Sequence, residues 1–246
     1  IFAEQIATHD PYEIDIYNAK VRPNEEHLMG TDVYGRDIFS RVVYGSRVSI
    51  VVSISVNICA IVIGTMIGLL AGFYKRFDKV VMRIMEGISA LPMILLALVL
   101  VSVLGRGLGN MIICLTVVNL PGISRLVRSQ VISIKEMEYI ESARAMGATN
   151  FRIIFKYILP LCFSTLIIRF TNGLGSTILT EASLSFLGAG LNPKIPSWGG
   201  IISEGRTMIM THPYMCAFPG FAIFITVLMF CIFGDGLRDV LDPNLR

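Results

Sequence analysis

Residues able to do covalent chemistry are few in this chain and poorly placed for it. His9, His27 and His212 are its three histidines, and all lie outside the long apolar stretches. A serine buried in such a stretch therefore lacks an imidazole base, and no histidine metal site is available there. H-E-x-x-H is absent. Cys59, Cys114, Cys162, Cys216 and Cys231 stand singly, without a C-x-x-C pair, and read as small packing residues. No G-x-x-x-x-G-K-[ST] loop is present, so nucleotide hydrolysis is not expected of this chain. What remains is charge in apolar surroundings. Arg169 and Glu181 fall within or near one apolar run, and burying charge in lipid is costly. Twelve residues separate them, about 18 Å along a helix, so they do not pair with each other. They read either as lining a water-filled pathway or as structural, with Arg169 on backbone carbonyls and Glu181 at the outer interface.

A second candidate is mechanical. The stretch Tyr139 to Pro160, YIESARAMGATNFRIIFKYILP, is a polar, basic island between strongly apolar segments. Gly147 permits a sharp turn because without Cβ it can take positive φ. Pro160 suits the first turn of a following helix, where its missing N–H costs nothing. A short rigid helix held between two membrane spans can transmit a rigid-body movement, which a floppy loop cannot.

The elements that must position these residues are membrane helices. Of 246 residues 54% are hydrophobic and only 16% charged, too few charges for the surface of a soluble domain of this size. Several apolar runs reach the ~20 residues needed to cross a bilayer. Spans are expected at about Val48 to Phe73, Val80 to Leu104 with a kink at Pro92, Met111 to Leu126, Leu161 to Leu187 and Tyr214 to Phe233. Gly64, Gly68 and Gly72 recur every fourth residue, which puts them on one helical face where another backbone can approach. Trp198, the sole tryptophan, reads as an interfacial anchor or as a contact for a docked protein.

Positive charge gives the orientation. Lys75, Arg76, Lys79 and Arg83 follow the first span, and Arg125, Arg128, Lys135, Arg144, Arg152 and Lys156 follow the third. An even number of spans separates the two groups, so both are expected in the cytoplasm. A net charge of only +3, with the basic residues in loops, fits membrane topology and not nucleic-acid binding. The chain then divides into an extracytoplasmic segment, 1–45, and a transmembrane domain, 46–246. The latter carries a cytoplasmic loop at about 128–160 and an extracytoplasmic segment at about 190–213. Ile1 as first residue suggests a missing preceding helix, making six spans in the intact chain.

Glu141, Ser142 and Ala143, then Gly147, then Leu159-Pro160 resemble the "EAA" signature in the cytoplasmic loop of bacterial ABC-importer permeases. Ser142 replaces the second alanine of that pattern and Tyr157 its isoleucine. Three further blocks are similar to the dipeptide, oligopeptide and nickel branch: Gly30 to Ile50, Glu181 to Arg206 and Phe233 to Arg246. Within it the pattern is closer to the second permease subunit. The resemblance implies an all-α type I importer bundle in the bacterial inner membrane, without enzymatic activity of its own. Its loop, with Glu141, Ser142, Ala143, Gly147, Leu159 and Pro160, would dock in a cleft of an ATPase subunit. Partners implied are a homologous second permease, two ATPase subunits that carry ATP and Mg, and an extracytoplasmic solute-binding protein. No cofactor or metal is expected on this chain. Di- or oligopeptides are the implied solute, with nickel, a metal chelate or a glutathione-like molecule as the alternative. A free-standing secondary transporter is disfavoured, since no repeated halves are visible.

Overall fold

The computed structural model describes residues 3–241. The end of the Phe233–Arg246 block therefore lies outside the described residues. The chain order is α1 (Ala3–Ile6), α2 (Ile38–Phe73), α3 (Lys75–Ser89), α4 (Met93–Leu104), α5 (Leu108–Lys135), α6 (Glu138–Ala145), α7 (Asn150–Arg152), α8 (Leu159–Phe186), α9 (Trp198–Gly205) and α10 (Tyr214–Leu241). Among the described residues there is no strand, only an isolated bridge between Thr31 and Asp37.

Helix α2 begins well before the expected Val48. Asp37 caps it by accepting from the Ser40 amide at 2.8 Å, and the helix runs for 36 residues, about 54 Å. That is ample for a hydrocarbon layer of about 30 Å. Its glycine face meets α5. A Cβ on Gly64 would lie 2.8 Å from Ile123 Cγ2, one on Gly68 2.6 Å from Val127 Cβ, and one on Gly72 2.5 Å from Val131 Cβ. Only glycine lets the two backbones come this close, so the face read from the four-residue period is a packing seam. Because the contacts climb together along both helices, α2 and α5 run parallel.

A parallel pair needs the chain to return between its members, and α3 with α4 does this. The expected kink at Pro92 is a break: the two helices meet at 92°. A residue before proline is disfavoured in the helical region, Leu91 lies in a bend between the two helices, and Pro92 itself, at ψ 133°, becomes the N-cap of α4. Neither helix alone spans, at 15 and 12 residues or about 22 and 18 Å. Together they are long and apolar enough for one broken span, beside the four unbroken ones in α2, α5, α10 and the continuous Asn150–Phe186 helix. Pro121 and Pro219, by contrast, sit inside unbroken helices.

Helix α5 is longer than the expected Met111 to Leu126. It carries Arg125, Arg128 and Lys135 on its last turns, so these are helix residues and not loop residues. Each secures a neighbour. Arg128 binds the Asp78 carboxylate of α3 with both Nε and Nη2. Arg125 Nη2 donates to Ser89 Oγ at 2.7 Å, and Lys135 Nζ donates to the Gly72 carbonyl at 3.2 Å, near the C-terminus of α2. Helix α8 runs antiparallel to both: along α5, Gly122 faces Arg169 while Gln130, two turns later, bonds the earlier Thr165. It is tied to α2 by Ser53 Oγ, which donates to the Leu174 carbonyl at 2.7 Å, and by Asn57 Nδ2, which donates to Thr177 Oγ1 at 2.9 Å.

Candidate functional site

Helix α6 is short and one-sided. Ile140 is buried with Ile134 of α5 and with Ile153, Ile154 and Ile158 at the base of the next helix, and Ala143, one turn on, is buried as well. The same cluster contains Val127, Val131 and Leu69, so it continues into the glycine seam. The opposite face, with Glu141, Ser142 and Arg144, is exposed. Ala143 is therefore small because it packs against its own chain: it is 3% exposed.

Gly147 ends the helix in the way its residue type suggests. Its φ is +85°, its N–H donates to the Arg144 carbonyl at 3.0 Å, and the Ala148 N–H reaches back to Ala143 at 3.0 Å. These paired bonds form a Schellman turn. A Cβ at Gly147 would meet nothing within 4 Å, so the requirement for glycine here is one of backbone conformation alone. Thr149 then caps the next helix, its Oγ1 accepting from the Arg152 amide at 3.3 Å. That helix does not stop before the membrane span: it widens to a π-helix over Ile153–Ile158 and continues as α8. Pro160 sits just past the widened turns, where its missing N–H and its ring disturb the ladder least. Leu159 is half-buried against the cluster and Pro160 is exposed.

Two apolar side chains flank the turn without cover: Met146 is 80% exposed and Phe151 71%. Reading the sequence missed both. Their signal was present, as large apolar residues inside an otherwise polar island.

Arg169 and Glu181 stay apart, as expected. Arg169 is half-buried, its guanidinium approaching Gly122 of α5, and it bonds no carbonyl among the described residues. Glu181 is buried, at 1% exposed, five residues from the end of α8. Its Oε1 accepts from Ser185 Oγ at 2.8 Å and from Ser197 Oγ at 3.2 Å, and Oε2 has no partner among the described residues. It thus ties α8 to the start of α9. Trp198 is neither an anchor nor a free contact: it is buried, and its Nε1 donates to the Val42 carbonyl at 2.9 Å. Burial with a satisfied N–H makes it a core residue. Beside it, Arg36 and Arg41 share Asp32 and Glu204, with Arg36 Nη2 to Glu204 Oε2 at 2.6 Å and Arg41 Nη1 to the same oxygen at 2.7 Å. This cluster joins the Gly30–Ile50 block to the Glu181–Arg206 block at the end of the bundle remote from α6.

The profile of a family described as binding-protein-dependent transport system inner membrane component matches residues 60–246. The chain belongs to that family. It is a membrane-spanning permease component of an ABC importer. The permease is 42% identical over 241 residues to the glutathione transport system permease protein GsiD of Pectobacterium atrosepticum, covering 96% of this chain and 80% of that one. It is 44% identical over 247 residues to the dipeptide transport system permease protein DppC of Alkalihalophilus pseudofirmus, covering 100% of this chain and 81% of that one. Among solved structures, the inward-facing MetNI methionine ABC transporter superposes with a TM-score of 0.68 at 23% identity, over 82% of the permease and 96% of that chain. The permease therefore has the fold expected, a type I importer bundle.

Proposed function

We propose that the permease forms half of the translocation pathway of an ATP-driven bacterial importer for short peptides, and that α6 couples it to an ATPase subunit. Its end carrying α6 and α3 faces the cytoplasm, and residues 1–45 and 190–213 lie outside. The basic residues Lys75, Arg76, Lys79, Arg83, Arg144, Arg152 and Lys156 at the α6 end support this orientation. The single observation carrying the coupling role is the two-sidedness of α6. One face is locked by Ile140 into the cluster that holds α2, α5 and α8, with Ala143 buried on the same side, while Met146 and Phe151 project from the following turn uncovered. A push on the free side must then move the spans as a body.

Two ATPase subunits carry ATP and Mg in this reading, and a homologous second permease completes the pathway. The solute class rests on the relatives, whose names specify glutathione and dipeptide, both short peptides. An extracytoplasmic binding protein delivers the solute.

The test is purification of the tagged permease from native membranes in mild detergent, followed by reconstitution with its binding protein. ATPase subunits and a second permease should co-purify, and a dipeptide or glutathione should stimulate ATP hydrolysis and enter the vesicles. A permease that purifies without ATPase subunits, or uptake driven by an ion gradient alone, overturns the assignment. Stimulation by a nickel chelate but by neither peptide overturns the solute class.

A further inference from the structure

Two of the three histidines set aside from the sequence come together in the segment before α2. We infer that His9, Glu26 and His27 form a binding site for a divalent first-row transition metal ion such as Zn2+. One donor atom from each lies within 4.8 Å of the other two. The two imidazole rings lie against each other with centroids 4.8 Å apart and planes tilted by 34°. All three residues line a cavity of about 200 Å³ that also receives Asp37.

The surrounding bonds position the donors. Asn24 Oδ1 accepts from the amides of Glu26 at 3.0 Å and His27 at 2.6 Å, fixing that loop. The His9 amide donates to Ser40 Oγ at 3.0 Å, fixing the other segment of the site against the first turn of α2. Nδ1 of His27 is 3.0 Å from Asp37 Oδ1, and Asp37 is almost fully buried. A carboxylate can only accept, so Nδ1 carries the proton and the lone pair of neutral His27 is on Nε2. A buried carboxylate that sets the tautomer of a ligating histidine is the usual outer shell of a metal site.

Two imidazoles and a carboxylate suit zinc and its first-row neighbours better than calcium or magnesium, which take oxygen ligands. Two ligands at about 2.0–2.1 Å from one ion can be no more than about 4.2 Å apart, so the donors must close slightly on binding. Glu26 is exposed and free to rotate inward. A bound ion would clasp the Ala3–Ile6 end of the segment to the N-terminus of α2, whose cap is the same Asp37.

The experiment titrates Zn2+ into the full purified chain in detergent, reading retained zinc, thermal unfolding and the zinc X-ray absorption spectrum. One zinc per chain should be retained, with nitrogen and oxygen ligands and no sulfur, and zinc should raise the unfolding temperature. Glu26→Gln, at an exposed position, and His9→Ala should each remove that rise. Asp37→Asn keeps a capping oxygen for α2 and should weaken binding roughly 10–100-fold. If the chain retains no zinc, the site is refuted. Sulfur in the spectrum, or zinc binding unchanged in Glu26→Gln and His9→Ala, refutes it equally. None of these readouts involves transport, so the site stands or falls separately from the importer assignment.

Discussion

At the scale of single residues, the informative positions are those where the side chain, or its absence, answers one physical demand. Gly147 answers a backbone demand only, since open space surrounds it. Replacement should therefore follow tolerance of positive φ and not side-chain volume. Gly147→Asn should keep near-parental association with the ATPase subunits, because Asn visits the left-handed region readily. Gly147→Val should strain the turn by about 1–2 kcal/mol or more and weaken association roughly 5–30-fold, measured by titrating ATPase subunits onto the detergent-solubilised permease. Equal loss in both variants would mean that the turn tolerates no side chain at all and that its surface, not its backbone, is read by the partner. Gly147 was legible in the sequence because glycine in a polar island has few uses. Ala143 was legible as small but not as inward-facing, since the one-letter pattern does not say which side of a short helix is covered. The burial of Trp198 and Glu181 was not legible for a related reason. A lone tryptophan or carboxylate near an apolar run is usually interfacial, and here α9 folds back to bury both.

At the scale of elements, the seam between α2 and α5 shows how much a period can reveal. Three glycines four apart announced a close approach, yet nothing in Ile123, Val127 and Val131 distinguished their helix from other apolar helices. The face was legible and its partner was not. The seam also makes a sharp prediction. A Cβ at position 68 would lie 2.6 Å from Val127 Cβ and 2.8 Å from the Ser124 carbonyl oxygen, neither of which is the tip of a flexible chain. Gly68→Ala should destabilise the bundle by about 1–3 kcal/mol, seen as a lower unfolding temperature in detergent. Adding Val127→Ala should not restore it, because Cβ and the carbonyl stay in place. Full rescue by that second change would show that the backbones can move apart. The break at Pro92 was under-read from sequence for the opposite reason. Proline within a membrane span is compatible with a kink, a break or a straight helix, and Pro92 and Pro121 take different options.

At the scale of the whole molecule, the number of crossings decides which loops share a side. With α3 and α4 counted as one crossing, residues 75–83 and 136–149 lie at one end and 190–213 at the other. A cysteine placed at Asn150, in a chain stripped of its five native cysteines, should resist a membrane-impermeant reagent in intact cells, whereas one at Lys194 should react. The reverse pattern would invert the orientation and detach α6 from any cytoplasmic ATPase. The charge cluster of Asp32, Arg36, Arg41 and Glu204 belongs to this scale as well. Its members are up to 172 positions apart in the chain, so no local pattern announced it, and it appears only once the two ends of the chain are folded together.

The parallel pairing of α2 with α5 also sets a schedule for synthesis. Phe73 leaves the ribosome long before Lys135, and the α3–α4 crossing is made in between. At about 5–20 residues per second the glycine groove of α2 waits on the order of several seconds in the bilayer for the helix that fills it. During that interval the groove is open to lipid or to any other small-residue helix nearby. A nascent chain stopped before Leu108 should therefore expose a binding face that the finished protein hides, the kind of surface that membrane quality control has the chance to recognise.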